Sequence, residues 1–136
     1  MQLPITALTA AICAIMLLIT AIDTVRQRIR SGTPFGDGGD AKLVSASRSH
    51  ANLAEHAPLA IIMIGLLEQS GAHHLVLTGV ACLFLFARAA HVFGLYAPMS
   101  TKPPLPRQIG VIGTWLSYAI LIGWTLYVVV TVNGAN

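Results

Sequence analysis

Apolar residues run unbroken by charge from Met1 to Ile22, and three more apolar runs follow, separated by short polar, glycine- or proline-bearing stretches. A membrane-spanning helix takes about 20 mostly apolar residues, and the pattern supplies four. The first is expected over residues 3–30, turning basic after Asp23 through Arg26, Arg28 and Arg30. The segment 31–41, which contains SGTPFGDGGD, breaks the helix and suits a loop at the water interface. A second helix is expected over residues 43–69, with Pro58 inside it and with Arg48, His50, Asn52, Glu55 and His56 in its first turns. A tight connection at Gly71 to His74 leads to a third helix over 74–96, whose one charge is Arg88. The proline-rich turn 97–106 leads to a fourth over 106–132, uncharged after Arg107.

Composition narrows this to one class. Of 136 residues, 55% are hydrophobic and 10% charged, against about a quarter charged in soluble domains. Four spans with short connections use the whole length, so residues 1–136 form a single all-α, integral membrane four-helix bundle. The first run has no basic segment before it and reads as a retained helix, not a signal peptide. The net charge of +3 is explained by topology, and no nucleic-acid partner is implied. With four antiparallel spans, all eight Lys and Arg residues fall on one side. The positive-inside rule puts that side, with the 31–45 loop and the 97–106 turn, in the cytoplasm. Both termini are then outside, which in a bacterium means inner membrane with periplasmic ends. Cys13 and Cys82 fall within spans and read as packing thiols.

Ionisable groups inside spans are costly and tend to face an interior or a water-filled cavity, which singles out Arg48, Glu55 and Arg88. At about 100° per residue, Arg48, Asn52 and Glu55 share one side of the second helix. Arg88 and His91, three residues apart, offer a second polar surface at the same depth on the third. One reading pairs Arg48 or Arg88 with Glu55 as ion pairs that fix packing. The other starts from Arg26, Arg48, Arg88 and Arg107 outnumbering Glu55 and Asp23. Unpaired buried cations cost several kcal/mol, and an anionic ligand offsets that excess.

The segment RSHANLAEHAP, Arg48 to Pro58, resembles the R-x-H-x-N-x-x-E-x-x-P signature of the MAPEG family, the membrane-associated proteins of eicosanoid and glutathione metabolism. Arg88-Ala-Ala-His91 resembles the companion motif on the third helix, and FGDGG at 35–39 is similar to the short bacterial branch. The resemblance implies a homotrimer with glutathione bound as co-substrate between neighbouring subunits near the cytoplasmic face. It implies conjugation, peroxide reduction or isomerisation by the glutathione thiolate on a lipophilic small-molecule substrate delivered from the membrane lipids. By the same resemblance Arg48, Asn52 and Glu55 hold the tripeptide, and Arg88 and His91 add contacts. Arg26 is contributed to the neighbour's site, and Arg107 stands beside the sulfur as the catalytic group. The sequence departs from several eukaryotic members at Leu95 and from prostaglandin E synthase at Val111, where those proteins carry tyrosines, and at Ala51, where that synthase has an arginine. Eicosanoid specificity is therefore not implied.

Other polar residues receive plainer readings. His50 projects away from the stripe and suits packing or hydrogen bonding, and His56 approaches the bundle interior. His73 and His74 suit interface anchoring, and no metal is expected. Asp37 and Asp40 shape the loop, because two acids fall short of the six to eight oxygens calcium takes. Trp115, Trp124 and Tyr127 are packing or interfacial aromatics. Two alternatives to the enzyme stay open: a non-enzymatic scaffold or lipid- or anion-binding protein on the same fold, and a small-molecule transporter, which four short helices without broken-helix repeats disfavour.

Overall fold

The computed structural model describes residues 2–98 and 102–133. It contains four helices, α1 (Pro4–Ser31), α2 (Ala41–Gln69), α3 (His74–Tyr96) and α4 (Leu105–Asn133). The middle of the 97–106 connection lies outside the described residues. All four helices are long and apolar enough to cross a bilayer, and the protein is an integral membrane protein. At 28 residues, α1 is about 42 Å long and overreaches the roughly 30 Å hydrocarbon layer, so its arginine-bearing end emerges among headgroups.

Local chemistry sets the helix ends. Pro4 opens α1 at a position where its missing N–H costs nothing. Gly32 closes it in the left-handed region, φ 66°, which lets the Gly32 and Thr33 N–H groups reach the Ile29 and Arg28 carbonyls. α2 begins two residues earlier than the hydrophobic pattern suggests because Asp40 caps it, its carboxylate accepting the Leu43 N–H at 2.9 Å. Pro58 sits inside an unbroken α2.

Consecutive helices are antiparallel, as named contacts at the two ends establish. At one end Glu68 meets Ile5 and Thr6; at the other Thr20 Oγ1 lies 3.2 Å from His50 Nδ1, and Tyr96 donates to Asp23. α1 packs on α2 and α3 on α4, while among the described residues α1 and α4 do not touch. The core runs through Cys13, Leu53, Ala57, Ile64, Leu77, Phe84 and Leu121. Leu18, Phe86, Phe93 and Trp115 point outward, as side chains facing lipid do.

The α3–α4 seam is unusually close, and glycine makes it so. A Cβ on Gly110 would lie 2.5 Å from His91 Cβ and 2.6 Å from its Cα, and one on Gly94 would overlap the backbone of Arg107. Small residues at helix crossings are the usual means by which membrane helices approach backbone to backbone. Here they bring Arg107 of α4 against the last turns of α3.

Candidate functional site

The first turns of α2, the last turns of α3 and the start of α4 surround a cleft of about 550 Å³ at the basic end of the bundle. Arg48, Asn52, Glu55, His91 and Arg107 line it together with Leu95, Ala51 and the first turn of α2. The helical spacing of 48, 52 and 55 thus puts all three on one wall. The volume lies within the range of about 300–1,000 Å³ typical of small-molecule pockets.

Arg88 is placed differently. It is 2% exposed and sits behind the cleft wall, where Nη1 donates to Asn52 Oδ1 at 2.6 Å. Its Nη2 donates to the Gly110 carbonyl at 3.1 Å and to Thr114 Oγ1, and Thr114 in turn donates to the same carbonyl at 2.7 Å. All three acceptors are neutral. Among the described residues Arg30–Asp40 is the only ion pair, so neither Arg48 nor Arg88 is bonded to Glu55. Among the described residues, ion pairing does not account for the charges of Arg48 and Arg88. Arg88 Nε and His91 Nδ1 are buried without a hydrogen-bond partner among the described residues.

The acids confirm how little negative charge is available here. Asp23 accepts from Tyr96 at 2.5 Å and from Gln27 at 3.1 Å. Asp37 accepts the Gly39 N–H, Asp40 caps α2 and pairs with Arg30, and Glu68 binds the start of α1. Glu55 alone of the five acids makes no hydrogen bond or ion pair with a described residue, and it faces the cleft beside Arg48.

Arg26 lines a different cavity. With Asp23, Tyr96 and apolar residues including Met16, Ile19, Val92 and Phe93 it borders a groove of about 520 Å³ between α1 and α3. The fold of the chain therefore does not bring Arg26 to the Arg48 cleft. Arg107, in contrast, borders two cavities, the polar cleft and an apolar groove of about 550 Å³ on α4 formed with Pro103, Gln108, Val111 and Ile112.

A family model for MAPEG matches residues 6–127, a span that runs through all four helices. The chain belongs to the MAPEG family. It is 29% identical over 118 residues to the inner membrane protein YecN of Escherichia coli strain K12, covering 87% of each chain, and the same holds for YecN of strain O6:H1. No solved structure matches it.

Within this MAPEG chain the remaining polar residues act locally. His56 Nδ1 lies 2.8 Å from the Asn52 carbonyl; a carbonyl only accepts, so the ring carries its proton on Nδ1. Tyr118 donates to the His56 carbonyl at 2.6 Å. Arg28 donates to the carbonyls of Thr33, Pro34 and Gly36 and so folds the 31–40 loop around its own guanidinium. Leu95 and Ala51 stand in the cleft wall, whereas Val111 lies in the α4 groove. Thr114, Gly110 and Gly94 were not singled out by sequence reasoning. The signal that points to them is the run of small residues facing each other on α3 and α4.

Proposed function

We propose that this protein is a glutathione-dependent membrane transferase or peroxidase of an inner membrane, with its cleft toward the cytoplasm and its termini periplasmic. The observation that carries the reading is the charge pattern of the cleft: Arg48 and Arg107 on its walls, Arg88 behind it, and Glu55 among them, with neither Arg88 paired to a carboxylate nor Glu55 bonded among the described residues. Such a site fits a zwitterion bearing more than one carboxylate and one ammonium group. Arginine forks suit the carboxylates and Glu55 suits the ammonium, and glutathione has that make-up.

Arg107 is the group assigned to the sulfur, because it borders both the polar cleft and the apolar α4 groove. A thiol with pKa near 8.5 is mostly protonated at neutral pH, and lowering it by about two units takes roughly 2.7 kcal/mol of preferential thiolate stabilisation. A guanidinium at the edge of a greasy groove supplies that while a lipophilic electrophile or lipid hydroperoxide approaches from the bilayer. Arg26 serves a neighbouring subunit's cleft in a homotrimer, consistent with its position on a separate face of its own subunit.

Calorimetric titration of the purified full-length protein with glutathione tests the reading. Wild type is expected to bind, with Arg48→Ala and Glu55→Ala each weakening the interaction; a wild type that does not bind removes the enzyme reading. A second reading, a binding protein without turnover, draws on Leu95, an inert side chain on the cleft wall. It predicts binding with no consumption of hydrophobic electrophiles or hydroperoxides.

A further inference from the structure

The geometry points to Arg88 as a positioning residue, not a ligand contact: it locks the Asn52 amide so that only N–H donors face the cleft. Arginine carries donors and no acceptor, so the 2.6 Å contact from Nη1 must be to the amide oxygen of Asn52. That consumes the acceptor half of the amide. Asn52 lines the cleft, and among the described residues nothing accepts from its Nδ2. The free half of the side chain therefore presents two N–H donors to whatever occupies the cavity.

Arg88 is well built for this task. Its other terminal nitrogen is tied to α4 through the Gly110 carbonyl and Thr114 Oγ1, so the guanidinium cannot swing aside and free the amide to flip. A hydrogen bond from a cation also polarises the amide it binds, which strengthens the donors at the far end. The charge of a buried arginine is in this way relayed into the cleft without a third exposed guanidinium. The consequence concerns specificity and rests on the glutathione reading: the stretch of wall between Arg48 and Glu55 accepts a carboxylate or carbonyl oxygen and rejects a donor.

A plain structural clamp makes the opposite forecast for one substitution. Asn52→Asp replaces the amide by a carboxylate that pairs with Arg88, so a clamp would be strengthened and binding left alone. Under orientation, the thermal transition of the full-length variant in detergent is unchanged or higher, while affinity for glutathione falls by about tenfold or more, the usual loss when a donor to a charged group is removed and an acid stands in its place. Asn52→Ala lowers affinity less. Retained affinity in Asn52→Asp overturns the donor role, and loss of folding in that variant overturns the Arg88 contact itself. A ligand-free readout separates this inference from the function it rests on. In wild type labelled with ¹⁵N-asparagine, the Asn52 side-chain amide is expected to resonate apart from those of the other asparagines and to collapse toward them in Arg88→Lys and Arg88→Gln. If the wild-type signal already coincides with them, the amide is not locked, whatever glutathione does.

Discussion

Glu68, in the last turn of α2, grips Ile5 and Thr6 at the first turn of α1: its carboxylate accepts both backbone N–H groups at 2.8 Å and the Thr6 hydroxyl at 2.6 Å. α1 has no side-chain cap of its own at Leu3, so the cap comes from the neighbouring helix and adds negative charge where the helix dipole favours it. Glu68→Ala is expected to cost about 1–2 kcal/mol, read as a lower midpoint of unfolding in detergent, with glutathione affinity of the folded fraction unchanged because the cleft lies at the other end of the bundle.

The glycine seam predicts a sharp contrast. Gly110→Ala forces a methyl against His91 backbone and side chain at about 2.5 Å and should destabilise by roughly 1–3 kcal/mol, the range for overpacking. Gly123→Ala, where nothing lies within 4 Å, should be neutral or stabilising by up to about 1 kcal/mol. Equal effects in a thermal unfolding assay would contradict the close approach of α3 and α4.

Arg107→Ala separates binding from activation. The variant is expected to keep most of its glutathione affinity, since Arg48, Asn52 and Glu55 remain, and to lose the ultraviolet absorbance of bound thiolate. An undiminished thiolate band moves the sulfur away from this end of the cleft.

Asp40 gives a pH dependence. Accepting the Leu43 N–H, with Arg30 alongside, holds its carboxyl below the ordinary carboxylate value. A group depressed in the folded state contributes its stability above the unfolded value, about 3.9 for aspartate, and loses it as pH falls through the lower folded value. Wild type and Asp40→Asn should therefore differ in thermal midpoint at neutral pH and converge in acid, once pH has fallen below the depressed folded value. A gap that persists in strong acid would mean the carboxylate charge is irrelevant to the cap.

The position of Arg26 on a face apart from the Arg48 cleft makes complementation possible. In the proposed homotrimer, Arg26→Ala and Arg48→Ala subunits, each deficient alone, should regain part of the binding when coexpressed, because some clefts then receive native residues from both neighbours. No recovery would place Arg26 outside the site.

Much of this was legible in the chain. Length and hydropathy gave four spans to within two residues at each end, because bilayer thickness dictates span length. The Arg48, Asn52 and Glu55 wall was equally legible, since helical period fixes which residues share a side. Arg88 shows where such reasoning stops. Spacing linked it to His91, but period alone does not say which side of α3 turns inward. Its partners are an amide, a hydroxyl and a main-chain carbonyl, none of which marks itself in sequence as a counterpart to a cation. Glu68 was invisible for a similar reason: it joins residues 62 and 63 positions apart and carries no motif.

Arg88 binds Asn52 on α2 and Gly110 and Thr114 on α4, which sets an order on biogenesis. The first two helices can emerge and insert as a hairpin, fastened by Glu68 at one end and by the Arg30–Asp40 pair and the Arg28 hold on the loop at the other. At that point the run from Arg48 to Pro58 is already in the bilayer, yet its asparagine lacks its Arg88 anchor. Only when the last helix has left the ribosome does the guanidinium find its second set of acceptors, so a nascent or truncated chain carries the signature without a competent pocket.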